Sequence, residues 1–147
     1  MISKILFPID GSNDSKKPFN HAIEIAKKFS ASILLVHAYE TPKQIGILAG
    51  SHGVDSDFIE NTDENLLTNG NYIISEIKAE IEQHNIPVAT ALAKGDPGLA
   101  IVEIAISEEC DLIIMSGKNP GIIERFFIGS VSDYVIHNSE TPVLLIH

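Results

Sequence analysis

The chain has 147 residues, 44% of them apolar and only 6% aromatic, an aliphatic composition that suits one domain with a core and excludes a disordered chain. Its formal charge of −10 excludes nonspecific binding to nucleic acid or to an anionic membrane surface, both of which need a cationic face. No apolar run approaches the ~20 residues of a membrane-spanning helix, and the single cysteine, Cys110, cannot form an internal disulfide.

The opening Met1-Ile2-Ser3-Lys4-Ile5-Leu6-Phe7-Pro8 lacks the length and cleavage pattern of a signal peptide. It reads as the first strand, over 5–9, and with one cysteine a reducing cytoplasm is the expected compartment. Asp10-Gly11-Ser12 is the turn that follows. A helix is expected over 15–29, where Phe19, Ala22, Ile23, Ala26 and Phe29 recur at helical spacing and Lys16, Lys17, Glu24, Lys27 and Lys28 take the remaining surface. The continuous apolar run 33–38 predicts a strand covered on both faces. Segment 41–62 differs: it holds Gly46, Gly50 and Gly53 with polar residues around Ile45, Ile47, Leu48 and Phe58. It reads as a long loop, or a loop with one helical turn, and loops of that length are usually functional or mobile.

A second helix is expected over 63–84, with Leu66, Ile73, Ile74, Ile77 and Ile81 along one face and Asn85-Ile86-Pro87 as its stop. A third strand follows over 88–93. Gly95-Asp96-Pro97 then punctuates the chain: Asp96 suits the N-cap of a third helix and Pro97 its first position. That helix runs to about residue 108, with Ile101, Ile104 and Ala105 toward the core. Cys110 follows Glu108-Glu109, whose carboxylates disfavour a thiolate, so it reads as a buried filler. The fourth strand is 112–115, a fourth helix spans 131–137, and a fifth strand covers 141–146. Apolar strands alternating with amphipathic helices predict an α/β fold, an open doubly wound parallel sheet with helices on both faces. Ligands of such sheets sit beyond the carboxyl ends of the strands. The loops at 10–12, 37–39 and 115–121 therefore form the expected site.

Between the fourth strand and the fourth helix stands Met115-Ser116-Gly117-Lys118-Asn119-Pro120-Gly121, followed after seven residues by Gly129-Ser130. Glycine allows a ligand to approach the backbone, a helix start offers unpaired N–H groups to an anion, and Lys118 adds a positive charge. The segment reads as a phosphate-binding loop, though it is neither the short GxGxxG turn nor a P-loop ending in Gly-Lys-Ser/Thr. His21, His37, His52, His84, His137 and His147 show no paired spacing suited to metal ligation. No HExxH or Gly-x-Ser-x-Gly is present, and Glu124 with Arg125 reads as a solvated pair.

With these pieces in order, the chain resembles the universal stress protein family over nearly its whole length. The resemblance is carried by Ile5-Leu6-Phe7-Pro8-Ile9-Asp10-Gly11-Ser12, Gly95-Asp96-Pro97, Asp111-Leu112-Ile113-Ile114-Met115, Gly129-Ser130-Val131-Ser132 and Thr141-Pro142-Val143-Leu144-Leu145-Ile146. It implies a single domain over 1–147 with strand order 3-2-1-4-5, a variable loop at 41–62, and a homodimer paired through the last strand, 143–146. Some members bind ATP or AMP, and the binding branch carries Gly-x2-Gly-x9-Gly-Ser/Thr. Counted back from Gly129-Ser130, the first two glycines of that motif fall on Ser116 and Asn119. Asn119 tolerates positive φ and can keep the turn, whereas Ser116 adds a side chain where phosphate approaches.

By the same resemblance, Pro8 and Ile9 border the adenine, and Ala38 offers it backbone groups. Asp10 contacts the ribose, or Mg²⁺ or Mn²⁺ carried by the phosphates; its alternative is an Asx-turn or helix cap with Ser12 and Asn13. Met115, Ser116, Lys118 and Asn119 form the strand-end half of the phosphate site. Gly129, Ser130, Val131 and Ser132 form the helix-start half, with plain N-capping as the alternative for Ser130. The implied function is a cytoplasmic stress-response protein that binds ATP or AMP and acts as a dimeric signalling or protective module, with slow ATP hydrolysis at most. The alternative is a member that has lost nucleotide binding and works as a dimeric interaction module, with no nucleic-acid or membrane partner in either case.

Overall fold

The computed structural model of the protein describes residues 1–10, 16–40, 56–117 and 129–147. Largely aliphatic segments form the strands: β1 (Lys4–Pro8), β2 (Ser32–Tyr39), β3 (Val88–Lys94), β4 (Leu112–Ser116) and β5 (Val143–Ile146). They make one five-stranded sheet of order β3-β2-β1-β4-β5, in which every pair is parallel. The helices between them are α1 (Lys16–Phe29), α2 (Ser56–Glu82), α3 (Pro97–Ser107) and α4 (Ser130–Asn138).

Alternation along the strands sorts the core into two layers. Ile5, Phe7, Ile33, Leu35 and Ile114 pack with Ala22, Ile23 and Ala26 of α1 and with Ile74 and Ile81 of α2. Leu6, Leu34, Val36, Ile113 and Met115 face the other way, onto Ile101, Val102 and Ala105 of α3 and Val135 of α4. Because both faces are covered, the central strands carry no polar alternation, which is why they read as continuous apolar runs. Phe19 lies edge-on to Phe7, with ring centroids 6.2 Å apart.

Several expectations are corrected. The second helix starts at Ser56, so residues 56–62, expected as loop, are helical. No Gly or Pro interrupts 54–69. The apolar residues of 56–62, Phe58 and Ile59, are adjacent rather than spaced, so the stretch lacks the apolar period by which a helix is recognised. Residues 41–55 lie outside the described residues. Phe29, expected on the buried face of α1, is 44% exposed. It is the last residue of its helix, just before Ser30 turns left-handed at φ 56° into β2. The last strand starts at Val143 rather than 141; Pro142 has no N–H for a ladder and contributes its carbonyl to Ile113 N instead, at 2.9 Å.

The amino ends of the strands are tied together by charge. The Asp111 carboxylate accepts hydrogen bonds from Ser3 N, Ser3 Oγ and Lys4 N at 2.8, 2.7 and 2.9 Å. Led by the Ser3 hydroxyl, these donors pull its pKa down from 3.8 to about 2. Lys4 Nζ pairs with Glu108 at 2.7 Å and donates to the Glu108 carbonyl. Cys110 is buried in the α3 layer as expected, and burial comes first among the causes that raise its thiol pKa, with Glu108 and Asp111 adding and Lys4 opposing.

Candidate functional site

The order of the sheet reverses at β1: β2 and β3 lie on one side of it, β4 and β5 on the other. A crevice at the carboxyl ends follows from that reversal. It contains a cavity of about 270 Å³, close to the lower end of small-molecule sites, roughly 300 Å³. Pro8, Ile9, Asp10, Ala38, Met115, Ser116, Gly129, Ser130, Val131 and Ser132, all expected at a site, line this one cavity. Lys118 and Asn119 lie outside the described residues, as do Gly121, Glu124 and Arg125 and the Gly11-Ser12-Asn13 part of the first loop. Val36, Pro97 and Ile101 also line the cavity and were not among the expected residues. Their signal was present in the sequence. Val36 is two positions before Ala38 on the same face of β2, and Asp96-Pro97 starts the helix over that face.

Register determines what Ala38 presents. Ser32 N donates to Ser3 O and Val36 O accepts from Ile9 N, so even-numbered residues of β2 direct their backbone groups toward β1. Odd-numbered ones face β3: Ile33 N donates to Pro87 O and Tyr39 O accepts from Gly95 N. Pairing of β1 with β2 stops at Pro8↔Val36. Ala38, two residues on, therefore turns its backbone N–H and C=O toward the crevice past the end of β1. One donor and one acceptor side by side is the pattern that reads the edge of a heterocyclic base.

At the other side stands the start of α4. Gly129 is its N-cap and supplies no side-chain hydrogen bond, while Ser130 is the first helical residue. Plain N-capping by Ser130 is thus not realised. Ser132, only 3% exposed, donates its Oγ to the Gly129 carbonyl at 2.9 Å, and Asp133 N donates to that same carbonyl at 2.8 Å. The N–H groups of Ser130, Val131 and Ser132 belong to the first turn, where a helix has no internal acceptors. They form a positive end suited to an anion. Asp133 is turned to the surface, where its carboxylate lies 3.5 Å from His137 Nδ1.

Ser116 is the last residue of β4 and pairs with Ile146. Gly117 still belongs to the sheet, since its N–H donates to Ile146 O at 2.9 Å, and a Cβ there would lie 2.6 Å from His147 Cε1. A side chain at this position would have to displace the His147 ring. Asp96 N-caps α3 through a 2.8 Å bond from Leu99 N, with Pro97 at the first helical position as expected. Among the described residues no group of three or more metal-ligating side chains converges, and no helix is long and apolar enough to cross a membrane.

The model of the universal stress protein family matches residues 1–147. Universal stress protein MJ0531 of Methanocaldococcus jannaschii is 31% identical over 147 residues, covering 99% of this chain and 82% of that protein. The solved structure of the hypothetical protein MJ0577, from the same organism, superposes with a TM-score of 0.81 at 26% identity, covering 99% of this chain and 96% of that one. A universal stress protein solved in complex with cAMP shares the fold, with a TM-score of 0.68 at 22% identity over 99% of this chain and 97% of that one.

Proposed function

The chain belongs to the universal stress protein family, and from that premise we propose that its cleft binds an adenine nucleotide, ATP or AMP. The observation that carries the reading is a single cavity that joins three surfaces of different chemistry. Val36, Ile101 and Met115 give it an apolar floor, Ala38 a base-reading edge, and Gly129 with the α4 start an anion site. An apolar pocket with a few placed polar groups suits a flat base, and a helix start suits a phosphate. Asp10, on the rim near Pro8 and Ile9, is the group for a ribose hydroxyl. Mg²⁺ or Mn²⁺ would be held at Asp10 only together with phosphate oxygens, since a lone carboxylate is a poor octahedral site. The relative that holds cAMP supports the ligand class.

The working unit in this reading is a cytoplasmic homodimer joined through β5, serving a signalling or protective role. Among the described residues β5 is an edge strand paired to β4, and its four residues are all half-buried, the state that pairing with a second copy would complete. Light scattering should give twice the 16.0 kDa chain mass; a monomer mass at micromolar protein removes the dimer.

One observation favours the alternative, a dimeric interaction module without nucleotide. Ser116 places a side chain on the cavity wall where the family's nucleotide motif has glycine. Titration calorimetry with ATP and with AMP decides between the two. Saturable heat supports binding, and no heat at millimolar ligand refutes it. In the second case, heat restored in Ser116→Gly/Asn119→Gly would show that these side chains closed the site.

A further inference from the structure

We infer that His37 is a positioning residue that ends the β1–β2 ladder and thereby keeps the Ala38 N–H available to the ligand. The inference rests on the nucleotide reading of the cleft for its ligand, and on hydrogen-bond geometry for the rest. In a parallel ladder that continued past Pro8↔Val36, the Ile9 carbonyl would receive the Ala38 N–H. Among the described residues it receives His37 Nδ1 instead, at 2.8 Å. A carbonyl oxygen only accepts, so Nδ1 carries the hydrogen, which fixes the tautomer or the protonated form.

The imidazole is held where it can do this. His37 is 9% exposed and points away from the cavity, since Val36 and Ala38 line it from the opposite face of β2. Its ring lies under α2: a Cβ on Gly70 would be 2.8 Å from His37 Cδ2 and 3.4 Å from Nε2. Ile9 itself is 4% exposed and lines the cavity, next to Asp10. One buried side chain therefore sets the direction of the Ile9 carbonyl, the exit of the chain toward Asp10, and the freedom of the Ala38 amide.

The test compares His37→Leu, which removes the donor, with His37→Asn, whose Nδ2 occupies the place of Nδ1. Two quantities are read in the full chain: ATP affinity by calorimetry, and exchange of the Ala38 amide by NMR without ligand. His37→Leu should weaken ATP about tenfold, the worth of one buried ligand hydrogen bond, and should slow Ala38 exchange as the ladder closes onto Ile9. His37→Asn should restore both. Slower exchange in a destabilised variant is not expected from a packing defect, which speeds exchange. Ala38 exchange that is unchanged or faster in His37→Leu overturns the inference, as does equal loss of affinity in both variants. If wild-type protein gives no heat with ATP, the nucleotide reading fails, and exchange alone decides whether His37 ends the ladder.

Discussion

Gly70 is the residue at which α2 comes down onto β2, and its lack of a side chain is a packing requirement. A Cβ there would meet His37 Cδ2 at 2.8 Å and Leu92 Cδ1 at 3.0 Å. The Leu92 methyl can rotate, but the imidazole is tethered to the Ile9 carbonyl. Alanine would raise helix propensity by about 0.8–1 kcal/mol, whereas overpacking a filled site costs about 1–3 kcal/mol. The clash wins, so Gly70→Ala should lower stability by about 1 kcal/mol, read as a reduced urea midpoint at unchanged slope. A variant as stable as the parent would mean that α2 moves away from the sheet freely.

At the scale of the element, α3 shows how a local signal sets a wall of the cleft. Asp96 caps it, Pro97 occupies its first position, and Pro97 and Ile101 both line the cavity. Asp96→Ala removes the bond to Leu99 N and should cost about 1 kcal/mol. Because the lost cap frays the turn that carries Pro97, ATP affinity should fall with it; stability and affinity measured on one preparation check the coupling. This helix was legible in the sequence because Asp96-Pro97 is a local code and Ile101, Ile104 and Ala105 repeat at helical spacing. The central strands were legible for a related reason, since two-sided burial leaves an unbroken aliphatic run, whereas the order of the strands was implied by the family resemblance alone. The start of α2 at Ser56 was not legible, because its first residues, with Phe58 and Ile59 adjacent among polar neighbours, show no apolar period. Nor was Gly129 as the N-cap of α4, since sequence alone favours a hydroxyl residue such as Ser130. The role of His37 was hidden altogether. It depends on where pairing between β1 and β2 stops, a tertiary fact that no spacing of residues encodes.

At the scale of the whole molecule, the two ends of the sheet do different work. The carboxyl ends hold the cleft, while the amino ends are closed by Asp111, which reaches 108 residues back to Ser3 and ties β4 to the start of β1. Three hydrogen bonds, that from the Ser3 hydroxyl foremost, favour the carboxylate form, which is why its pKa falls from 3.8 to about 2. A folded-state pKa below the unfolded one means that the unfolded chain takes up the proton first. The stabilisation is therefore complete above about pH 4 and is lost as pH falls toward 2. The net charge of −10 acts the other way over higher pH, since protonating other carboxylates first relieves repulsion in this acidic chain. The two effects separate by difference. Urea midpoints of wild type and Asp111→Ala should lie apart at pH 5, approach each other between pH 4 and 2, and nearly meet at pH 2. A gap that stays constant from pH 5 to 2 would assign the Asp111 contribution to packing rather than to its charge.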